Sequence, residues 1–426
     1  MSRFRTGEIL EKMIRTVGPI SVASFMKYCL TNPTEGYYRN RYPFGVDGDF
    51  ITSPEISQIF GELIGIWMIY EWILKKKPSK ITWVELGPGR GTLTDDYLRT
   101  AMMFEDYFRT IESLRLIEIS PVLREFQRQL LCGSNAMENI DIDVWKCLSK
   151  YGMPVYWYER FDQLPRELST PFIAVHEFFD SMPIHKFEVI VICLNIWNID
   201  FDFKKKTVHG WREFLVDFVS QDAFYMKDSI EKSSAPLQFR LILSKRPTYH
   251  SLTLPNISQR YSLLPIGSCI EISPESLVLV EEISKILLNN SNTAYGSALI
   301  IDYGPSDTIP IHTLRGIRSH RIVSPFEKPG EVDLSSDVDF QALKEVVLKH
   351  DELEVYGPIE QGTWLKTMGI EVRAKALIDA SKNISSKKRI ESSYKRLIER
   401  GGGAMGKVYK FMAIISKRKE FPAGFY

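Results

Sequence analysis

Three glycines alternate directly after an acid in the stretch Glu85-Leu86-Gly87-Pro88-Gly89-Arg90-Gly91-Thr92. Residues without side chains let a ligand approach bare backbone. The apolar run 81–86 just before them places that approach at the carboxyl end of a strand, where open α/β sheets bind cofactors. A dinucleotide fingerprint needs glycine at the sixth position of G-x-G-x-x-G, but counting from Gly87 that position is Thr92, which speaks against a nicotinamide cofactor. A second acid, Glu118, lies at the end of the next apolar run, 114–119, where carboxylate oxygens can accept hydrogen bonds from two ribose hydroxyls. Glu85, Gly87, Gly89, Gly91 and Glu118 are therefore the candidate cofactor-binding residues. The plainer alternative is a tight turn beside a surface acid.

These residues need a sheet to hold them. Five short apolar runs, 81–86, 114–119, 155–158, 172–175 and 298–301, suit strands covered on both faces, so an α/β fold with a doubly wound parallel core is predicted. Ahead of them Val22, Phe25, Met26, Cys29 and Leu30 recur at helical spacing, and Ser53 as N-cap with Pro54 at the first helical position predicts one helix through Leu74. More than a hundred residues separate the fourth and fifth runs, too many for a crossover, and read as an inserted subdomain. The resulting division is 1–78, an N-terminal helical region with a loop over the active site; 79–185, the first part of the core; 186–297, the inserted subdomain; and 298–426, the remaining core and C-terminal region.

Composition sets outer limits. Across 426 residues, 54 Lys and Arg against 53 Asp and Glu leave a net charge of +1, so no strong field draws this surface to nucleic acid or anionic membrane. Hydrophobic residues at 44% and charged residues at 25% exclude disorder, collagen-like repeats and coiled coil as the main theme. The five cysteines show no CxxC spacing, and His176 and His185 have no ligand partners at helical spacing, so neither a disulfide framework nor a metal is predicted. No apolar stretch is a credible membrane span, and residues 1–15 lack the marks of a good signal or transit peptide, so composition leaves location open.

An acid two residues before G-x-G-x-G resembles the first motif of class I S-adenosylmethionine methyltransferases, where the loop packs against the methionine part and the acid can meet its ammonium. The resemblance reaches further. GDFITSPEI (48–56), the loop 85–91, HEFFDSMP (176–183), DYG (302–304), TLRG (313–316) and DLSSDVDF (333–340) stand in the order seen in the MidA family, across residues 18–412. The chain is identified as a member of that family. The resemblance implies a class I, Rossmann-like methyltransferase fold, S-adenosylmethionine as cosubstrate with no metal, and methylation of arginine in a protein acceptor. Because the family includes a mitochondrial assembly factor for respiratory complex I, it implies symmetric dimethylation of an arginine in the ubiquinone-side iron–sulfur core subunit of that complex. The wording of residues 37–67 favours the mitochondrial branch, hence the matrix; a bacterial relative would be cytoplasmic. Oligomeric state is not legible. One departure from the family is VIVICLNIWNIDFDF (189–203), which has β preference without clean alternation and would expose apolar surface if it found no partner.

Methyl transfer to nitrogen is an in-line displacement, so positioning dominates. Guanidinium stays protonated to a pKa above about 12 and calls for carboxylates that orient it and let a proton leave. Glu177 and Asp180, following the fourth run, could grip it in a bidentate fork, with Glu177 the first choice. Asp49, on a loop that could cover the pocket, is a third catalytic candidate. The structural readings are a helix cap for Glu177 and Asp180, an Asx turn for Asp49, and a backbone-bonded strand-end acid for Asp302. Two other functions compete: a cofactor-binding assembly chaperone without essential catalysis, and a methyltransferase acting on another protein, a small molecule or nucleic acid. Nucleic acid is disfavoured by the near-neutral charge.

Overall fold

Nine strands carry the molecule's main sheet: β1 (Ile81–Leu86), β2 (Ile111–Ile117), β3 (Glu138–Asp141), β4 (Val144–Leu148), β5 (Pro154–Tyr158), β6 (Pro171–His176), β7 (Ser297–Tyr303), β8 (Leu353–Glu360) and β9 (Tyr409–Ser416). The structure is a computed structural model that describes residues 6–40, 48–195, 205–219, 238–289 and 295–426. The spatial order is β8-β9-β7-β6-β1-β2-β5-β4-β3. Strands β5, β2, β1, β6 and β7 run parallel, and they are the five apolar runs of the sequence. Strand β9 lies antiparallel between β7 and β8, and the β3–β4 pair adds antiparallel strands at the other edge.

Every residue of β1 is buried because the sheet is covered on both sides. Helices α1 (Ser53–Ile56), α2 (Gln58–Leu74), α3 (Thr92–Ala101), α4 (Pro121–Cys132) and α5 (Pro274–Leu288) supply much of that cover. On one face Phe60 and Trp67 of α2 and Tyr97 of α3 pack with Trp83, Leu114 and Phe172. On the other, Val280, Ile283 and Leu287 of α5 pack with Val84, Ile173 and Ala298. The alternation along each strand is thus apolar to both sides, and the expected doubly wound α/β fold is present.

The single helix expected from Ser53 through Leu74 is two. Thr52, not Ser53, stands at the N-cap of α1, and Ser57 adopts an extended conformation (φ −156°, ψ 128°) that stops it. The Ser57 side chain then accepts from the Ile59 amide to start α2. Apolar periodicity runs across the break, whereas the break depends on a serine that serves as both C-cap and N-cap.

A second sheet is built from His185–Asn195, Lys205–Val219, Gln238–Leu243 and Cys269–Ile272, and the short strand Ile20–Ser21 joins its edge. Ile20 pairs with Val216, and Leu10, Ile14 and Phe25 share a core with Val216 and Phe239. The N-terminal helices therefore pack against described strands of the segment between β6 and β7. Residues 189–195 of the family departure pair antiparallel with 205–211, so this part does find a strand partner; residues 196–204 lie outside the described residues. A small three-stranded sheet, Arg315–Arg318, Arg321–Val323 and Asp333–Ser335, brings Arg315, Asp333 and Ser335 toward the end of β6.

Candidate active site

Strand order reverses about β1, whose neighbours β2 and β6 lead to opposite halves of the sheet. A cleft of about 910 Å³ opens at the carboxyl ends of these strands, where that topology leaves a crevice. Its floor is the glycine loop. Gly87 and Gly89 have φ of +60° and +54°, a region that side chains rarely adopt. A Cβ on Gly87 would stand 2.7 Å from Cδ2 of Phe178, so the loop and the β6 exit touch with no room for a methyl group. Gly91 behaves differently from the expectation that it contacts a cofactor. It is the N-cap of α3, faces Gln127 and is not among the cleft residues, because the chain has already turned into the helix.

The two expected acids flank this floor. Glu85, at the end of β1, accepts a hydrogen bond on Oε2 from Thr94 Oγ1, which in turn accepts one from Trp83 Nε1 at 2.8 Å. Burial pushes the Glu85 carboxyl up to about 7 against that hydrogen bond. Glu118 stands one residue past β2. Its Oε1 accepts from the Ser120 amide at 2.8 Å and its Oε2 from Gln127 Nε2 at 2.9 Å, while burial pushes it to about 7. A carboxylate has about four lone-pair sites, so each oxygen keeps capacity for a ligand hydroxyl.

Gln127 is a residue the sequence reading missed. Fully buried, it donates from Nε2 to both Gly89 O (2.7 Å) and Glu118 Oε2, and its Oε1 accepts from Trp157 Nε1 (2.9 Å). One side chain thereby ties the glycine loop to Glu118. A signal was available: Leu123, Gln127 and Leu131 fall on one face of α4, and a glutamine in an apolar stripe has to satisfy its amide somewhere.

Opposite the loop, β6 ends at His176 and Glu177 follows it. Glu177 has φ +49°, a strained conformation for a residue with a side chain, and its amide donates to Ile301 O at 2.9 Å. Its Oε2 accepts from Tyr409 Oη at 3.2 Å, whereas Oε1 has no hydrogen-bond partner; His176 Nε2 lies 3.1 Å from it but out of line. Asp180 accepts from Tyr303 Oη, which also meets Ser335 Oγ, and burial pushes the carboxyl up to about 6. Asp302 Oδ2 accepts from the amides of Phe178 (3.1 Å), Phe179 (3.0 Å) and Asp180 (3.3 Å), so it shapes the loop after β6 rather than facing a ligand. Asp333 is buried with Tyr38 Oη 2.8 Å from Oδ1; burial first, then the charge of Asp180, hold its carboxyl well above the usual range.

Asp49 is not brought to this group. Its oxygens accept from Tyr37 Oη (2.7 Å) and the Ser319 amide (2.8 Å), and it lies outside the cleft lining, so it ties Tyr37 to the turn between Arg315–Arg318 and Arg321–Val323. The chain beside Tyr37 is also held by Arg39, whose guanidinium donates to Glu159 and to Ile119 O. Far along the chain His185 does gain partners. Glu213 Oε1 lies 2.7 Å from His185 Nδ1, its Oε2 accepts from Thr248 Oγ1, and His250 completes the one grouping among the described residues that could hold a cation. Strand pairing brings His185 to Glu213 and the short helix Tyr249–Thr253 adds His250, a grouping that helical spacing could not reveal, and Glu213 already has a hydrogen-bond donor on each oxygen.

Similarity to known proteins agrees with this geometry. The family described as S-adenosyl-L-methionine-dependent methyltransferase matches residues 63–359. The chain belongs to that family, the MidA methyltransferases. The protein arginine methyltransferase NDUFAF7, mitochondrial, of Danio rerio is 37% identical over 413 residues, covering 96% of this chain and 86% of that one. The Homo sapiens protein of the same name is 35% identical, with 95% and 82% covered, and the Drosophila melanogaster homolog 34%, with 95% and 83% covered. All three are named mitochondrial, which meets the expected location. A COG1565 superfamily member from Burkholderia thailandensis bound to S-adenosyl-homocysteine has the same fold, with TM-score 0.71, 21% identity, and 98% and 93% of the chains covered. A second structure from that organism gives 0.68 at 20% identity. The MidA site fits S-adenosylmethionine on its own terms, since bare backbone at Gly87 and Gly89 lies between two acids suited to an ammonium and a diol.

Proposed function

We propose that this MidA-family methyltransferase acts on arginine in a protein acceptor, namely the core iron–sulfur subunit of respiratory complex I, and carries the modification to symmetric dimethylarginine in the course of complex I assembly. The observation that carries the reading is Glu177. It stands at the exit of β6 beside the glycine loop, strained at φ +49°, with one oxygen on Tyr409 and the other without a donor inside the cleft. A carboxylate oxygen left without a partner in a buried site is suited to an N–H donor that arrives with substrate.

When bound, S-adenosylmethionine supplies a sulfonium methyl open to nucleophilic attack. Everything else falls to the chain. Glu177 Oε1 accepts from a guanidinium N–H, turning a nitrogen toward the cofactor end of the cleft, and receives the proton that the methylated nitrogen sheds. Tyr409 fixes Glu177, and Asp180, held by Tyr303, keeps the loop after β6 in place. Glu85, Gly87, Gly89 and Glu118 hold the cosubstrate. The names of the mitochondrial relatives support arginine as acceptor, while complex I and the symmetric product rest on the family resemblance.

The test is mass spectrometry of acceptor arginines after incubation of the recombinant iron–sulfur subunit with this protein and S-adenosylmethionine. Wild-type protein should yield methylarginine, and Glu177→Gln should lower the rate by about 10²-fold or more while still binding cofactor. Wild-type protein that binds S-adenosylmethionine and modifies no arginine there would overturn this reading in favour of an assembly chaperone or of another acceptor.

A further inference from the structure

GDFITSPEI (48–56) contains an acid that the site described so far does not use. Glu55, in the single turn of α1, lines the same cleft as Glu177, and its side chain is only 9% exposed. Neither of its oxygens has a hydrogen-bond donor in good geometry: the Thr52 backbone acts on it only weakly, and Arg90 pairs with it loosely, Nε lying 3.7 Å from Oε1. Burial raises its carboxyl above the ordinary glutamate range, Arg90 and the Thr52 backbone offset this in part, and the charge of Glu177 adds to it.

A buried carboxylate without well-placed donors is unfavourable, and among the described residues of this cleft three buried carboxylate oxygens lack one, both of Glu55 and one of Glu177. Asp180, the partner first expected for Glu177, is already engaged by Tyr303. Resting on the arginine reading above, we propose that Glu55, not Asp180, is the second carboxylate that binds the acceptor guanidinium, sharing it with Glu177. A planar guanidinium offers five N–H donors on a rigid frame and can serve two carboxylates at once, which a single ammonium point charge does less well. The alternative cation is the α-ammonium of the cosubstrate, since Arg90 belongs to the glycine loop.

Steady-state kinetics with the recombinant iron–sulfur subunit, together with calorimetric titration of S-adenosyl-homocysteine, separate the two. Glu55→Gln should raise the acceptor KM at least tenfold and lower kcat/KM by about 10²-fold, leave the S-adenosyl-homocysteine Kd within twofold, and keep or raise the thermal midpoint. Glu55→Asp, which keeps the charge but withdraws it by one methylene, should give an intermediate loss. Unchanged kcat/KM in Glu55→Gln overturns the assignment and leaves the arginine reading intact. Weakened S-adenosyl-homocysteine binding with unchanged acceptor KM overturns it in favour of the ammonium. Absence of methylarginine with wild-type protein removes the arginine reading and this assignment with it.

Discussion

Gly87 has no space for one more carbon. Its positive φ alone costs a substituted residue about 1–2 kcal/mol, and the added Cβ would press on the Phe178 ring next to Glu177. Gly87→Ala should therefore weaken S-adenosyl-homocysteine binding at least tenfold by calorimetry while the protein still melts cooperatively; an unchanged Kd would mean that the loop does not support the ligand. Glu177 stores comparable strain at φ +49°. Strain at a side-chain-bearing residue in a cleft is affordable only where neighbours over-determine it, and here the Ile301 carbonyl and the Tyr409 hydroxyl do so. Asp49 shows the opposite outcome, since both of its oxygens are consumed by Tyr37 and the Ser319 amide.

Helix α4 acts as a strut between two groups that line the cleft, Glu118 and Gly89. It begins with Ser120 at the N-cap, whose amide also holds Glu118, and two turns further Gln127 reaches both Glu118 and Gly89. Gln127→Leu keeps the helix stripe apolar but strands the Trp157 indole N–H, the Gly89 carbonyl and a carboxylate oxygen. The cost is about 1–3 kcal/mol of stability. Cofactor affinity should fall by about tenfold as Glu118 and the loop lose their common anchor, which denaturant unfolding and calorimetry on one preparation would show together. A variant as stable and as tight-binding as wild type would exclude this coupling. The break at Ser57 between α1 and α2 works at the same scale, because it lets α1 turn Glu55 into the cleft while α2 packs on the sheet.

Across the molecule, the site concentrates buried acids at the carboxyl edge of the sheet, and this gives the stability a pH slope. Glu85 and Glu118 move from the ordinary 4.5 to about 7, and Asp180 from 3.8 to about 6. A folded-state pKa raised above the unfolded one means that the native state holds more protons in between. These groups therefore contribute stability fully below pH 4, and it is lost as pH rises toward 7. Glu118 alone contributes up to about 3 kcal/mol to that slope. In ligand-free protein, Glu118→Gln should flatten the fall in unfolding free energy between pH 5 and 8; an unaltered slope would show that Glu118 is ionised throughout. No described helix is long and apolar enough to cross a membrane. The two sheets share the N-terminal segment, with Arg39 linking it to Glu159 at the rim of the cleft.

The residues themselves were sufficient for the five parallel strands, the glycine loop and the acids at strand ends, because those features are written within a few consecutive positions: an apolar run covered on both faces, bare backbone, a carboxylate at the exit. Tertiary structure alone decided who holds them. Tyr409 reaches Glu177 across 232 residues and Tyr303 reaches Asp180 across 123, and no local pattern encodes such a pairing. Likewise Gly91 looked equivalent to Gly87 and Gly89 in the alternating loop, and only the turn into α3 set it apart. Spacing along the chain specifies what a strand or turn can present. Which side chains keep a free oxygen, as Glu55 and Glu177 do and Asp49 does not, depends on donors that arrive from elsewhere in the fold.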